Sequence, residues 1–257
     1  MTTPPLPSEN PPRAASPADR PESARAAPAG ADRPMPIFIF LAVLATLAAI
    51  AVVALLRPER VREGLPSDAR ADAARALLVG HVSLGFNGLR FGSALTGEAS
   101  AARERLPGDE RRLAAAESLL DVAWRSHRLD PRYPAALGHV ALARGALMRA
   151  ERRYRTAIDL DAGCSEARLG LGVALSREAL TQGDLLRTRA LVLEAVAQFA
   201  AVRRESAWYV HALFDRALLL PDVGRTNEAR VLAAEYFQGD SASAWADRLR
   251  ARLAEAR

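Results

Sequence analysis

Four histidines and one cysteine are the side chains of this chain best suited to metal binding or nucleophilic catalysis, and their spacing argues against both. His81, His127, His139 and His211 stand far apart in sequence, and no His-Glu-x-x-His pair sets two imidazoles on one helix face. Cys164 alone builds no thiolate zinc site, no covalent haem attachment and no intrachain disulfide. In Gly163-Cys164-Ser165 it reads as a small residue in a turn rather than a reactive thiol or an intermolecular disulfide. All 35 basic residues are arginine, which removes the phosphate-loop lysine, the Schiff-base lysine and the kinase-type nucleotide lysine. Gly170-x-Gly172 is half of a dinucleotide fingerprint, but it follows a helical stretch rather than a strand, and no Gly-x-Ser-x-Gly elbow occurs. Carboxylates are scattered among arginines at helical spacings, the pattern of ion pairs. No catalytic, cofactor-binding or metal-binding residue is expected, and the chain is read as no enzyme.

The elements that carry these residues are helical. Half of the residues are hydrophobic but only 5% are aromatic, and alanine, leucine and arginine dominate. These three head the helix-propensity ranking, and β-branched runs are scarce outside residues 37–56, so the fold class is all-α. The net charge of +5 is modest and the arginines are interleaved with acids. A nucleic-acid face needs a basic stripe with stacking aromatics, and none is present, so no nucleic-acid partner is expected.

Four regions follow in order. Residues 1–34 are crowded with prolines and nearly devoid of large apolar side chains, which predicts a disordered tail. Residues 35–56 contain the run 37–56, 20 residues without a charge in which Thr46 is the only polar side chain. As a helix this run spans roughly 30 Å, the thickness of a bilayer's hydrocarbon core, so it is expected to be a single transmembrane anchor. Its length and its distance from the first residue fit a cleaved signal peptide poorly. Residues 57–66 form a polar linker. The region 67–257 is helical, opening with Ser67 as N-cap, Asp68 in the first turn and a first helix running to about Leu95. That helix would carry Gly80, Gly85, Gly88 and Gly92, with Gly88-x-x-x-Gly92 a possible close-packing face toward a neighbouring helix. Pro107-Gly108, Gly183-Asp184 and Pro221 through Gly224 punctuate the rest. The last stretch, Ser241 to Arg257, is amphipathic, with Trp245, Leu249 and Leu253 on one face, as the terminal helix of a stacked array requires.

Leu137-Gly138 recurs 34 residues later as Leu171-Gly172. Between them stand Ala141, Gly145 at a turn, and Ala150, Tyr154 and Ala157 down a second helix, closing with Ile158-Asp159-Leu160-Asp161. Small residues such as Gly138 and Ala150 let two helices approach to about 8–10 Å. In period and positions the stretch resembles the tetratricopeptide (TPR) repeat family, best over residues 131–164. Leu213 to Tyr236 resembles a further repeat, with Gly224 at its turn and Ala229, Ala233 and Tyr236 on its second helix, and residues 109–131 resemble the second helix of an earlier one. The pattern departs at Ala162, where proline is commonest, and in the lengthened helix pair from Ala179 to Phe199.

The resemblance implies an α-solenoid of helical hairpins whose first helices line a partner groove. By register that groove takes Arg132, Ala135, His139 and Leu142 from one repeat and Glu166, Leu169, Val173, Ser176 and Arg177 from the next. Its lining of apolar and arginine side chains suits a helical or extended segment of another protein, one rich in acidic residues. With no lysine and few asparagines, the chain lacks the means by which one branch of the family grips peptide C-termini. The expected function is therefore a membrane-anchored scaffold or assembly factor. The alternatives are an accessory subunit of a larger membrane complex, or a cytochrome c maturation or envelope chaperone-like helper. Similarity in layout to anchored bacterial repeat proteins implies the inner membrane with the helical domain in the periplasm, whereas the arginines flanking the anchor favour a cytoplasmic domain.

Overall fold

The computed structural model of the chain describes residues 63–79, 88–93, 97–98 and 109–256. The expected tail 1–34, the anchor 35–56, the first part of the linker 57–66, and Gly80, His81, Gly85, Pro107 and Gly108 lie outside the described residues. The chain divides after Arg57 into two units, and every described residue belongs to the second. No helix among the described residues is long and apolar enough to cross a membrane.

Nine α-helices account for nearly all described elements: α1 (Ala69–Leu78), α2 (Asp109–Ser126), α3 (Arg132–Ala143), α4 (Leu147–Leu160), α5 (Ser165–Ala179), α6 (Leu185–Ala200), α7 (Tyr209–Leu219), α8 (Thr226–Gly239) and α9 (Ala244–Glu255). They pack as four sequential hairpins, α1/α2, α3/α4, α5/α6 and α7/α8, with α9 resting on α7 and α8. The expected all-α class therefore holds over these residues, apart from one short ladder. There β1 (Gly92–Ser93) and β2 (Gly97–Glu98) pair antiparallel, with Gly92 opposite Glu98 and Ser93 opposite Gly97.

That ladder corrects the reading of residues 67–95 as one helix. The helix α1 stops at Leu78 and Val79 is already extended. Gly88 sits at φ +87° in a turn and Gly92 in a strand, so the two glycines share no helix face. Each interior glycine costs a helix about 1 kcal/mol relative to alanine, and a run of them favours turns and extended chain instead. The start of α1 also moves by one residue. Asp68, not Ser67, is the N-cap, its Oδ1 accepting from the Arg70 N–H at 2.7 Å and from the Ala71 N–H at 3.4 Å. Within the expected linker, Leu65 packs against the core and Glu63 accepts from the Ala207 N–H at 2.9 Å.

The turns obey local chemistry. Gly145 at φ +77° reverses the chain between α3 and α4, and Gly224 at φ +80° ends the 3-10 turn Leu220–Val223 before α8. Asp184 caps α6 by accepting from the Leu186 N–H at 2.9 Å, and Ser243 caps α9 by accepting from the Ala246 N–H at 3.2 Å. In α9 Leu249 is buried, while Trp245 and Leu253 pack against the core as the amphipathic pattern requires.

The packing centre is the ring of Tyr154 on α4. A Cβ placed on Gly138 of α3 would lie 2.6 Å from its Cε1, and a Cβ on Gly170 of α5 would lie 2.7 Å from its hydroxyl. The ring is therefore wedged between its own hairpin and the next. One hairpin further on, Phe199 of α6 lies as close to Gly172 of α5, where an added Cβ would stand 2.7 Å from its Cζ. In the last hairpin rings meet rings instead, Phe214 lying 5.4 Å from Tyr236 and 5.4 Å from Trp245.

Arginine–carboxylate pairs tie neighbouring helices over this core. Arg144 pairs with Glu110 and Glu117, Arg149 with Glu117 at 2.8 Å, Arg153 with Asp121 at 3.1 Å, and Arg155 with Glu194 at 2.7 Å. These pairs lie half-buried to exposed at the surface, where each contributes about 1 kcal/mol, and the wedge of ring against glycine outweighs them.

Leucine at Gly138 or Gly170 is expected to destabilise the domain by about 1–3 kcal/mol through overpacking, more than the roughly 1 kcal/mol that relief of the glycine helix penalty restores. Tyr154→Phe removes a buried hydroxyl with no hydrogen-bond partner among the described residues, and it should leave the urea midpoint unchanged or raise it. Equilibrium urea unfolding followed by circular dichroism measures both.

Candidate partner-binding groove

The first helices α3 and α5 carry the residues expected to meet a partner. At the head of α3, Arg132 is engaged locally by Asp130, Nε donating to Oδ1 at 2.9 Å and Nη2 to Oδ2 at 2.7 Å. Leu142, Leu169 and Val173 are buried. Ser176 donates its hydroxyl to the Gly172 carbonyl at 2.8 Å, turning back onto its own helix. Arg177 reaches from α5 to donate to the Leu142 carbonyl at 3.1 Å in the last turn of α3. Arg177 therefore ties one hairpin to the next, Arg132 and Ser176 are engaged locally, and Ser176 also lines a cavity.

His139 lies at the heart of the face and is fully buried. Its Nδ1 lies 2.7 Å from the Ala135 carbonyl, which only accepts, so the ring carries its proton on Nδ1. Nε2 faces Glu166 Oε1 at 3.7 Å. The imidazole stands edge-on to Tyr154 at 5.4 Å and under the ring of Phe91 at 4.9 Å. Burial pulls its pKa down to about 4, against a smaller opposing effect of the Ala135 bond.

Phe91 belongs to the segment between α1 and α2, and that segment occupies the face. Leu89 and Phe91 are buried. The Arg90 backbone N–H donates to Asp215 Oδ1 on α7 at 2.6 Å. Its guanidinium donates through Nη1 to the Tyr236 hydroxyl at 2.8 Å and to Asp240 Oδ2 at 3.3 Å. Asp240 is itself prearranged, accepting from the Tyr236 hydroxyl and from the Ser243 hydroxyl, each at 2.6 Å. These two hydroxyls and Arg90 hold its carboxyl below the ordinary range. Asp215 is the opposite case. Burial pushes its pKa well up, outweighing the Arg90 N–H and charge, and its Oδ2 has no hydrogen-bond partner among the described residues.

Beside Leu89 opens a cavity of about 720 Å³ between α5, α6, α7 and α9. Its walls include Ser176, Ala179, Val192 and Leu218, with Arg252 at the edge. Sequence reasoning missed Arg90, Phe91, Asp215, Tyr236 and Asp240 as members of this site. One signal was available: Asp215 falls among Ala212, Leu213, Phe214, Ala217 and Leu218, a charge on the apolar stripe of α7.

Cys164 is buried at the N-cap of α5, and burial pushes its thiol pKa up to about 12, so it is a packed turn residue rather than a nucleophile. Among the described residues no three His, Cys, Asp or Glu side chains are grouped to hold a metal ion.

Because His139 is neutral when buried and titrates near its ordinary value when unfolded, the unfolded chain binds the extra proton between those two pKa values. Its contribution to stability is complete above about pH 6.5 and is lost as pH falls toward about 4, amounting to roughly 3 kcal/mol. His139→Gln should flatten the dependence of unfolding free energy on pH across that window relative to the parent chain, as read by urea titrations at a series of pH values.

No protein-family model matches the chain, and no curated protein matches it in sequence. Among solved structures it is similar to the crystal structure of a thermophilic TPR protein from Thermus thermophilus, at 18% identity and a TM-score of 0.46, over 57% of this chain and 74% of that one. The described residues are TPR-like on their own geometry: sequential helical hairpins, a glycine turn within the pair, and an aromatic ring of the second helix seated on glycines of two successive first helices.

Proposed function

We propose that the chain is a membrane-anchored scaffold or assembly factor that binds segments of other proteins along the face formed by α3, α5 and α7, and that it performs no catalysis. The observation that carries this reading is the seating of a non-helical stretch, Leu89 to Phe91, on that face. A surface that takes apolar side chains in pockets and a backbone N–H on a buried carboxylate holds an extended peptide in the way peptide-recognition modules do. The uncharged run 37–56 supports a tether, which confines the face to the bilayer and raises its effective concentration toward membrane partners. On this reading the chain sits in a bacterial inner membrane with its helical domain in the periplasm, a side supported by the layout shared with anchored bacterial repeat proteins and opposed by the arginines flanking the run.

Removing residues 37–56 should shift the protein from the membrane pellet to the soluble fraction. A phosphatase reporter fused after Arg257, active only outside the cytoplasm, should be active. A reporter that works only in the cytoplasm would reverse the compartment. Purification from detergent extracts should yield partner proteins that leave when the face is altered. A fixed stoichiometric membrane complex would favour the accessory-subunit alternative, and transient capture of many unfolded envelope proteins would favour the chaperone-like one.

A further inference from the structure

We propose that Leu89-Arg90-Phe91 is an internal stand-in for the partner. It occupies, in cis, a site for an extended segment of another protein that carries arginine between two large apolar side chains, and that segment must displace it. The proposal rests on the reading of this face as a protein-binding groove and names both its ligand chemistry and its control.

Three observations support it. First, consecutive residues are received by different hairpins: Phe91 by His139 on α3, the Arg90 guanidinium by Tyr236 and Asp240 on α8, and Leu89 at the cavity bordered by Ser176 and Leu218. Second, the fit is incomplete. Asp215 uses Oδ1 for the Arg90 N–H while Oδ2 goes without a partner among the described residues, so a segment bringing a polar group within reach of Oδ2 would be held better. Third, the cavity of about 720 Å³ continues directly from Leu89, leaving room for further residues of a longer ligand. The polar groups that meet the segment are acidic or phenolic. The fitting partner is therefore basic at its centre, contrary to the acidic segment that the arginine content suggested, and Arg177 of the expected lining is turned onto the Leu142 carbonyl. Being part of the same chain, the segment competes at high effective concentration, which keeps the groove closed to weak ligands.

The test uses the full chain in detergent and a fluorescein-labelled peptide Gly-Leu-Arg-Phe-Gly-Ser. Fluorescence anisotropy should show binding at least tenfold tighter to the R90A/F91A chain than to the parent. A Gly-Leu-Glu-Phe-Gly-Ser peptide should not bind. A double variant with native helical circular dichroism that fails to bind the arginine peptide, or that binds both peptides equally, overturns the proposal. Hydrogen exchange on the unaltered chain provides a measurement independent of that variant's folding. The Arg90 amide should exchange by local opening at least a hundredfold faster than those of Val140 in α3 and Val173 in α5. Exchange at their rate makes the segment a permanent part of the core and refutes displacement. Partner capture that leaves Arg90 protection unchanged would refute the internal stand-in while leaving the scaffold reading intact. Dimerisation lost in R90A/F91A would assign the segment to a second copy and likewise refute cis occupancy.

Discussion

The stacking of this domain depends on one aromatic ring having glycine on both sides. Tyr154 projects from α4 into space that exists only because Gly138 and Gly170 lack a Cβ. The first glycine belongs to its own hairpin and the second to the next, so a single side chain sets both the intra-hairpin and the inter-hairpin distance. Close packing at native density tolerates little adjustment at such a point. Phe199 over Gly172 extends the device by one hairpin, and the spacing of α3, α5 and α7 along the array follows from it.

That spacing in turn creates a face broad enough to receive an extended chain across several hairpins. Two of the face's buried titratable groups are His139 and Asp215, and burial favours the uncharged form of each. Each is oriented by one definite hydrogen bond, to the Ala135 carbonyl and from the Arg90 N–H. A floor on which these two groups are held uncharged would discriminate by shape and by the placement of a few polar atoms more than by bulk charge.

Much of the fold was legible because its physics is local. The 34-residue recurrence, Gly145 at the turn, and Ala150, Tyr154 and Ala157 on one helix face each state a spacing between neighbouring helices, and the hairpin α3/α4 has all of them in place. Gly224, Ala229, Ala233 and Tyr236 behave likewise in α7/α8. Legibility failed where helical composition was allowed to outweigh glycine, as at Gly88 and Gly92, and at the N-cap, where Asp68 rather than the adjacent Ser67 has the required backbone geometry. The site was harder to read. Register put His139, Leu142, Leu169, Val173 and Ser176 on the first helices α3 and α5, but register says nothing about a segment that returns to meet His139. The Arg90–Asp215 bond joins residues 125 positions apart, a separation at which no periodicity operates. Only the anomaly of an acid on the apolar stripe of α7 hinted at it.

The arginine–carboxylate pairs over the outer helices carry a consequence of their own. A guanidinium keeps its proton to above about pH 12, whereas an ammonium in the same place begins to discharge near pH 10. The cations that staple this surface, Arg144, Arg149, Arg153 and Arg155, are all of the first kind. Alkaline surroundings, which would slowly unfasten a lysine-laced solenoid, leave this one's outer stitching charged.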